Sequence, residues 1–265
     1  MRSIKGLIVV EFGGSSITFK ERTFSLNKEA IENISSSLCN FKGKLFIIHG
    51  IGSWGLPVAI AYGLNSFTYK KDIGGVSLTR MAILELSKNI QTFLINYGIN
   101  PFFFLPQYTE SMMKELETLY KNGAVPLTYE DVIYEKGKGY RIMRGEEIID
   151  IIANVKQVKR VLFIIKSNGI IDYKGKTIDL ISIKSNKGIK INQTPIMEGN
   201  LIYTFDQIRA KIYPLDAISG ITYKLLVAER LVKKGIEVLF LSSDNKDNII
   251  KALNGKKFYG TRVIY

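Results

Sequence analysis

Apolar and polar positions along this chain switch repeatedly between two periods. Short apolar runs bounded by glycine and polar clusters read as buried strands, at Leu7–Phe12, Leu45–Ile48, Asn100–Leu105, Ala124–Leu127, Arg160–Ile165 and Ile236–Leu241. Between them the spacing becomes helical. Asn27–Leu38 sets Leu26, Ala30, Ile31 and Ile34 on one side, and Thr79–Tyr97 runs to a stop at Gly98. Ser111–Asn122, Glu146–Val155 and Asn245–Leu253 follow the same period, as does Ile221–Lys234, which carries Ile221, Leu225, Ala228, Leu231 and Val232 on one face. Pro57–Tyr62 suits a helix start, with Pro57 in the first turn. Tyr129–Arg141 reads as a hairpin turning at Gly137-Lys138-Gly139, Lys174–Gln193 as a polar surface excursion, and Lys256–Tyr265 as the closing strand. This alternation predicts an α/β protein: a mostly parallel central sheet with helices on both faces, in three layers. No linker or shift of composition divides residues 1–265, so one domain with two lobes is expected.

Composition removes several function classes. With 46% apolar residues the chain can bury a full core, which argues against disorder. Cys39 is the only cysteine and His49 the only histidine, which excludes disulfide staples and multi-imidazole metal sites, so no protein-held metal is expected. No apolar run approaches the ~20 residues of a membrane helix, and Glu11 interrupts any secretory core near the N-terminus, so a cytoplasmic protein without membrane contact is expected. The net charge of +13 invites a nucleic-acid reading, but the basic residues are scattered and mostly lysine. The charge is read as solvated surface that steers anionic small molecules, and no nucleic-acid partner is expected.

Three glycine-bearing segments fall where strands give way to helices: Phe12-Gly13-Gly14-Ser15-Ser16-Ile17-Thr18, Gly50-Ile51-Gly52-Ser53-Trp54-Gly55 and Ser219-Gly220-Ile221-Thr222, the last opening the helix of Lys224. Ligands of open α/β sheets sit at such places, and glycine lets main-chain N–H groups reach an anion at a helix N-terminus. None is a Walker A loop. His49 is read as structural, holding its turn.

Taken together these residues resemble the amino acid kinase superfamily, and within it the isopentenyl phosphate kinase branch. Glu11–Lys20 is similar to that branch's K-[LI]-G-G-S-x-I-T-x-K, and His49–Leu56 to its H-G-G-G-S-F-G-H. Ala124-Val125-Pro126 with Asp131-Val132, Arg144-Gly145-Glu146-Glu147, Asn168-Gly169-Ile170, Asp216–Gly220 and Gly260-Thr261 continue the match in order over nearly the whole chain. The resemblance implies the carbamate kinase-like fold, an N-terminal acceptor lobe and a C-terminal nucleotide lobe. It implies transfer of the ATP γ-phosphoryl group, with Mg2+ arriving on the nucleotide, to a small phosphorylated acceptor such as isopentenyl phosphate, by a homodimer. Lys20, Lys224 and Gly14 would be catalytic. Gly13, Gly14, Ser15, Gly52, Gly220 and Lys224 would hold the nucleotide phosphates, and Gly50, Ile51, Leu56 and Gly145 would shape the acceptor site.

The departures are as informative as the matches. Glu11 stands where the family has lysine and, facing the phosphates, would cost on the order of 4 kcal/mol at ~4 Å and an effective dielectric near 20. Leu56 replaces a histidine donor, a loss of about 1.5–3 kcal/mol. Ile51 replaces a glycine, and its β-branch would resist a positive φ. Arg144 and Lys166 are added cations. Two readings stand side by side: a compensating exchange in an active kinase, with Arg144 as a phosphate fork, or drift in a homologue that binds a ligand or a partner subunit without catalysis. A basic polyanion-binding protein on an old kinase fold is a third.

Overall fold

Every side chain of strand β1 (Leu7–Phe12) is buried, and this strand is the spine of the sheet. The computed structural model describes residues 6–64, 69–183, 189–190, 196–198, 201–203 and 220–265. The other strands are β2 (Lys44–His49), β3 (Asn100–Phe103), β4 (Ala124–Tyr129), β5 (Asp131–Glu135), β6 (Gly139–Met143), β7 (Val158–Ile165), β8 (Ile171–Asp172), β9 (Leu180–Ser182), β10 (Ile189–Lys190), β11 (Ile196–Glu198), β12 (Leu201–Tyr203), β13 (Glu237–Ser242) and β14 (Thr261–Ile264). Nine of them form one sheet in the order β10-β9-β14-β13-β7-β1-β2-β4-β3. All its pairings are parallel except β13 with β14. The pair β5–β6 is the expected hairpin, and β8, β11 and β12 make a small separate sheet.

Helices α1 (Gly14–Ile17), α2 (Lys28–Leu38), α3 (Gly52–Ala61), α4 (Ile73–Asn96), α5 (Thr109–Lys121), α6 (Gly145–Val155), α7 (Ile221–Lys233) and α8 (Lys246–Leu253) connect the strands. The twofold alternation of β1 decides which helices meet which residues. Leu7 and Val9 pack with Phe46, Phe163, Ile148 and Ile152 of α6 and Leu225 and Ala228 of α7. Ile8, Val10 and Phe12 face the other way, toward Ile31 and Ile34 of α2, Leu86 and Ile90 of α4 and Ile249 of α8. Glu11 shares the parity of Leu7 and Val9, so it points at α6 and α7. That parity determines the site.

Three elements differ from the sequence expectation. Helix α4 begins at Ile73, not Thr79, because the Asp72 side chain caps it through the Gly74 amide at 2.9 Å, while two glycines and an exposed Ile73 conceal the period. Helix α3 begins at Gly52, which puts Pro57 in its interior. The Ser53 carbonyl that Pro57 cannot serve accepts instead from the Phe24 amide at 3.0 Å, and Phe24 packs edge-on against Trp54. Within the stretch expected to be a surface excursion, Leu180–Ser182 forms β9 beside β14, with Ile178 and Ile181 buried. Here isoleucine spacing overrides the high lysine content; residues 184–188 and 191–193 of that stretch lie outside the described residues.

His49 ends β2 in complete burial. Its Nδ1 lies 3.1 Å from the Gly50 carbonyl, which can only accept, so Nδ1 carries the proton, and Nε2 lies 2.9 Å from the Ser87 hydroxyl of α4, which also reaches the Ile83 carbonyl at 2.9 Å. The imidazole stacks on Tyr129, which stacks on Phe103. Burial drives its pKa from 6.5 down to about 4, the Gly50 carbonyl opposing in part. Between those values the unfolded chain binds the proton and the folded chain does not, so stability falls as pH drops from 6.5 to about 4, by on the order of 3 kcal/mol. The only imidazole in the chain is therefore expected to titrate near pH 4 by NMR, and a midpoint near 6.5 would refute its burial as the neutral form.

Candidate active site

The C-terminal ends of β1 and β2 bring two of the glycine segments into main-chain contact. The Gly50 amide donates to Phe12 O at 2.9 Å, and a Cβ built on Gly14 would lie 2.6 Å from the Gly52 nitrogen. A Cβ on Gly50 would lie 2.7 Å from the Gly14 nitrogen, so only glycine permits this approach. The Thr18 hydroxyl ties the two turns, donating to Gly14 O at 2.7 Å and accepting from the Ser53 amide at 2.9 Å. The amides of Gly14, Ser15 and Gly52 open α1 and α3 and find no acceptor among the described residues. Ile51, expected to be strained, takes φ −75° and ψ −19° in the right-handed region; the positive φ, 51°, falls on Gly52 instead.

The Ile51 amide is already in use. Strand β4 pairs with β2 so that Tyr129 lies beside His49, and the Glu130 amide then donates to His49 O at 3.0 Å. This register sets the half-buried Glu130 carboxylate against the turn. Its Oε2 accepts from Ile51 N and its Oε1 from Gly145 N, each at 3.1 Å. The Gly145 amide opens α6, where partial positive charge favours a carboxylate. Nothing in the sequence reading singled out Glu130. The signal available was a charged residue at the carboxyl end of a strand, directly before the motif-matching Asp131. Asp131 itself is fully buried and bonded to Arg80 and Tyr129, a supporting role.

Lys224 lies on α7 with only 6% of its surface exposed. Its ammonium bonds Glu11 and, at 2.6 Å, Glu146 Oε1, and it rests over the Phe163 ring. Glu11 Oε2 is buried without a hydrogen-bond partner among the described residues. Burial pushes Glu11 up to about 8, with Glu146 and Glu130 adding to the rise and Lys224 opposing it. Burial also works against charge on Glu146, but the Lys224 ammonium outweighs it and holds that carboxyl below its usual range. Glu130 is raised by burial and by the neighbouring Glu146 charge. Burial disfavours the Lys224 ammonium, yet Glu11, Glu146 and Glu130 together raise its pKa. The site thus holds three carboxyl groups around one ammonium.

Of the other expected residues, Gly13 gives its amide to Ile164 O at 2.9 Å and lies beside Gly14. Gly220 caps α7 at φ 94°, while Asp216–Ser219 of its segment lie outside the described residues. Lys20 is exposed in a turn, whereas Lys224 is buried. Leu56 is 44% exposed on α3. Arg144 lies with its guanidinium 4.9 Å from the Tyr223 ring centre, and Lys166 pairs at 3.8 Å with exposed Glu21. Two distant motif segments do meet, for the Ile170 amide donates to the Thr261 hydroxyl at 2.7 Å. An apolar cavity of about 480 Å³ runs along α3 and α4, lined by Pro57, Val58, Tyr62, Leu78 and Met81. Phe102–Phe104 are not part of it: Phe104 is core against Phe46, Phe103 stacks on Tyr129, and Phe102 is 43% exposed.

A sheet whose strand ends carry helix-opening glycine turns beside a buried lysine defines a protein of the phosphate-handling α/β class. The sequence matches the amino acid kinase family over residues 6–201, and the chain belongs to that family. It is 23% identical to the isopentenyl phosphate kinase of Methanothermobacter thermautotrophicus, over 97% of this chain and 98% of that one. It is 25% identical to the isopentenyl phosphate kinase of Methanocaldococcus jannaschii, over 94% and 96% of the two chains. The crystal structure of Thermoplasma acidophilum isopentenyl phosphate kinase in a product complex superposes with a TM-score of 0.72 at 18% identity, over 97% of this chain and 99% of that one. That last likeness is one of fold. Among the described residues no helix is long and apolar enough to cross a membrane.

Lys224→Met leaves Glu11 and Glu146 buried without their cation and is expected to cost about 3–5 kcal/mol in urea unfolding. Adding Glu11→Gln should recover part of that loss; a single variant as stable as the parent would contradict the ion-pair geometry.

Proposed function

We propose that the protein is an ATP-dependent phosphotransferase acting on a small acceptor, built on the plan of the isopentenyl phosphate kinases. The observation that carries this reading is the set of unclaimed amides at Gly14, Ser15 and Gly52, held against one another at the carboxyl ends of β1 and β2. Phosphoryl transfer depends mainly on positioning and on donors around the equatorial oxygens, and fixed main-chain N–H groups supply both. The nucleotide's phosphates would take these amides and approach Gly220 at the start of α7, and Mg2+ would enter with them to offset their charge. Lys224 would lend its charge from behind, its ammonium positioned by Glu11 and Glu146. The apolar cavity along α3, the helix that Gly52 opens, would receive a short hydrocarbon body, in keeping with relatives that are named for isopentenyl phosphate. On the same family resemblance we take a second copy of the chain as its assembly partner, the N-terminal half as the acceptor lobe and the cytoplasm as its setting.

A second reading is favoured by one specific observation. Lys224 is already bonded to two carboxylates, which suits a homologue that binds its ligand without transferring phosphate. Release of ADP from ATP·Mg2+ in the presence of C5 prenyl acceptors separates the two, since only the phosphotransferase makes it acceptor-dependent. Gly14→Ala is expected to abolish that release, through the 2.6 Å clash with Gly52, while costing about 1–3 kcal/mol of stability. ATP binding by calorimetry without acceptor-dependent ADP would instead establish the second reading.

A further inference from the structure

Glu130 occupies the main-chain donors that the family resemblance assigns to an acceptor's phosphate. Its carboxylate takes the amides of Ile51 and Gly145 together, at 3.1 Å each, and it is held there by the β2–β4 register rather than by a mobile segment. The carboxylate also borders the free amides: the point where a Cβ of Gly50 would sit is 3.3 Å from Glu130 Oε2 and 2.7 Å from the Gly14 nitrogen. Glu11 also borders Gly145, its Oε1 lying 3.1 Å from the Cβ position of that glycine. Its Oε2 is buried and has no hydrogen-bond partner among the described residues.

A phosphate monoester brought to this point would have to displace the Glu130 carboxylate and settle beside the Glu11 and Glu146 carboxyl groups, with Lys224 already committed to both. A hydroxyl meets none of these obstacles. It carries no charge, and it donates to a carboxylate that keeps both its amide bonds. Resting on the phosphotransferase reading, we propose that the acceptor reacts through an alcohol hydroxyl, with Glu130 as the base that receives its proton. The hydroxyl oxygen forms a bond to the γ-phosphorus of ATP as the bond from that phosphorus to the β,γ-bridging oxygen breaks. The electron pair leaves on ADP and the hydroxyl proton passes to Glu130. The products are a phosphate monoester and ADP.

The test uses the full chain with ATP·Mg2+ and matched C5 pairs, isopentenol with isopentenyl phosphate and prenol with dimethylallyl phosphate, with products read by phosphorus NMR. Expected is monophosphate from an alcohol, with kcat/KM at least about tenfold above that of its phosphorylated partner. Glu130→Gln keeps the shape without the base and should lower kcat for the alcohol about a hundredfold with KM little changed. Glu130→Gly frees both amides. Isopentenyl phosphate should then bind about tenfold more tightly by calorimetry without nucleotide. A parent protein that prefers the phosphorylated acceptors, or a Glu130→Gln variant with undiminished alcohol turnover, overturns this inference and leaves the phosphotransferase reading intact. Failure to convert either class of acceptor overturns both.

Discussion

Two turns that touch main chain to main chain shape the carboxyl ends of β1 and β2. Where β1 and β2 end, Gly14, Gly50 and Gly52 lie so close that a single added methyl group would collide with backbone. That approach leaves the amides at Gly14, Ser15 and Gly52 without acceptors among the described residues, and it places the amide of Ile51 within reach of the next strand. Unpaired amides cost stability unless solvent or a ligand takes them. The fold accepts that cost on one side of the junction and removes it on the other with Glu130.

The second constraint is electrostatic. Twofold alternation along β1 turns Glu11 toward α6 and α7, where Lys224 and Glu146 wait in the same buried layer as Phe163. Taking these charges out of water is costly, and only mutual pairing makes it tolerable. The arrangement explains how a carboxyl group can be buried at the end of β1: Lys224 bonds both Glu11 and Glu146, and burial pushes Glu11 toward its neutral form. It also lines this end of the sheet with the carboxyl groups of Glu11, Glu130 and Glu146 around a single ammonium.

Most of the fold was legible in the sequence because it rests on local patterns. Strands β1, β2, β7 and β13 are near-continuous apolar runs, and Asn27 and Asn245 cap α2 and α8 through their side chains. The glycine turns could be found because they follow strands directly. Other features depend on partners far away in the chain. Pro57 sits inside α3 only because Phe24 supplies the missing donor, and β9 declares itself only once β14 lies beside it. Glu130 was invisible for the same reason: its meaning comes from the pairing of Tyr129 with His49. Lys224 was read as a phosphate contact, and its bonds to Glu11 and Glu146 emerge only once the parity of Glu11 is placed against α6 and α7.

The most direct test of this division of amides is an amide-resolved NMR titration of the intact protein with a non-hydrolysable ATP analogue and Mg2+. The signals of Gly14, Ser15 and Gly52 are expected to shift with nucleotide, while those of Ile51 and Gly145 stay in place on the Glu130 carboxylate. Movement of Ile51 and Gly145 with the others would mean that the carboxylate yields its place to phosphate, and stillness at all five would mean that the turns hold no nucleotide.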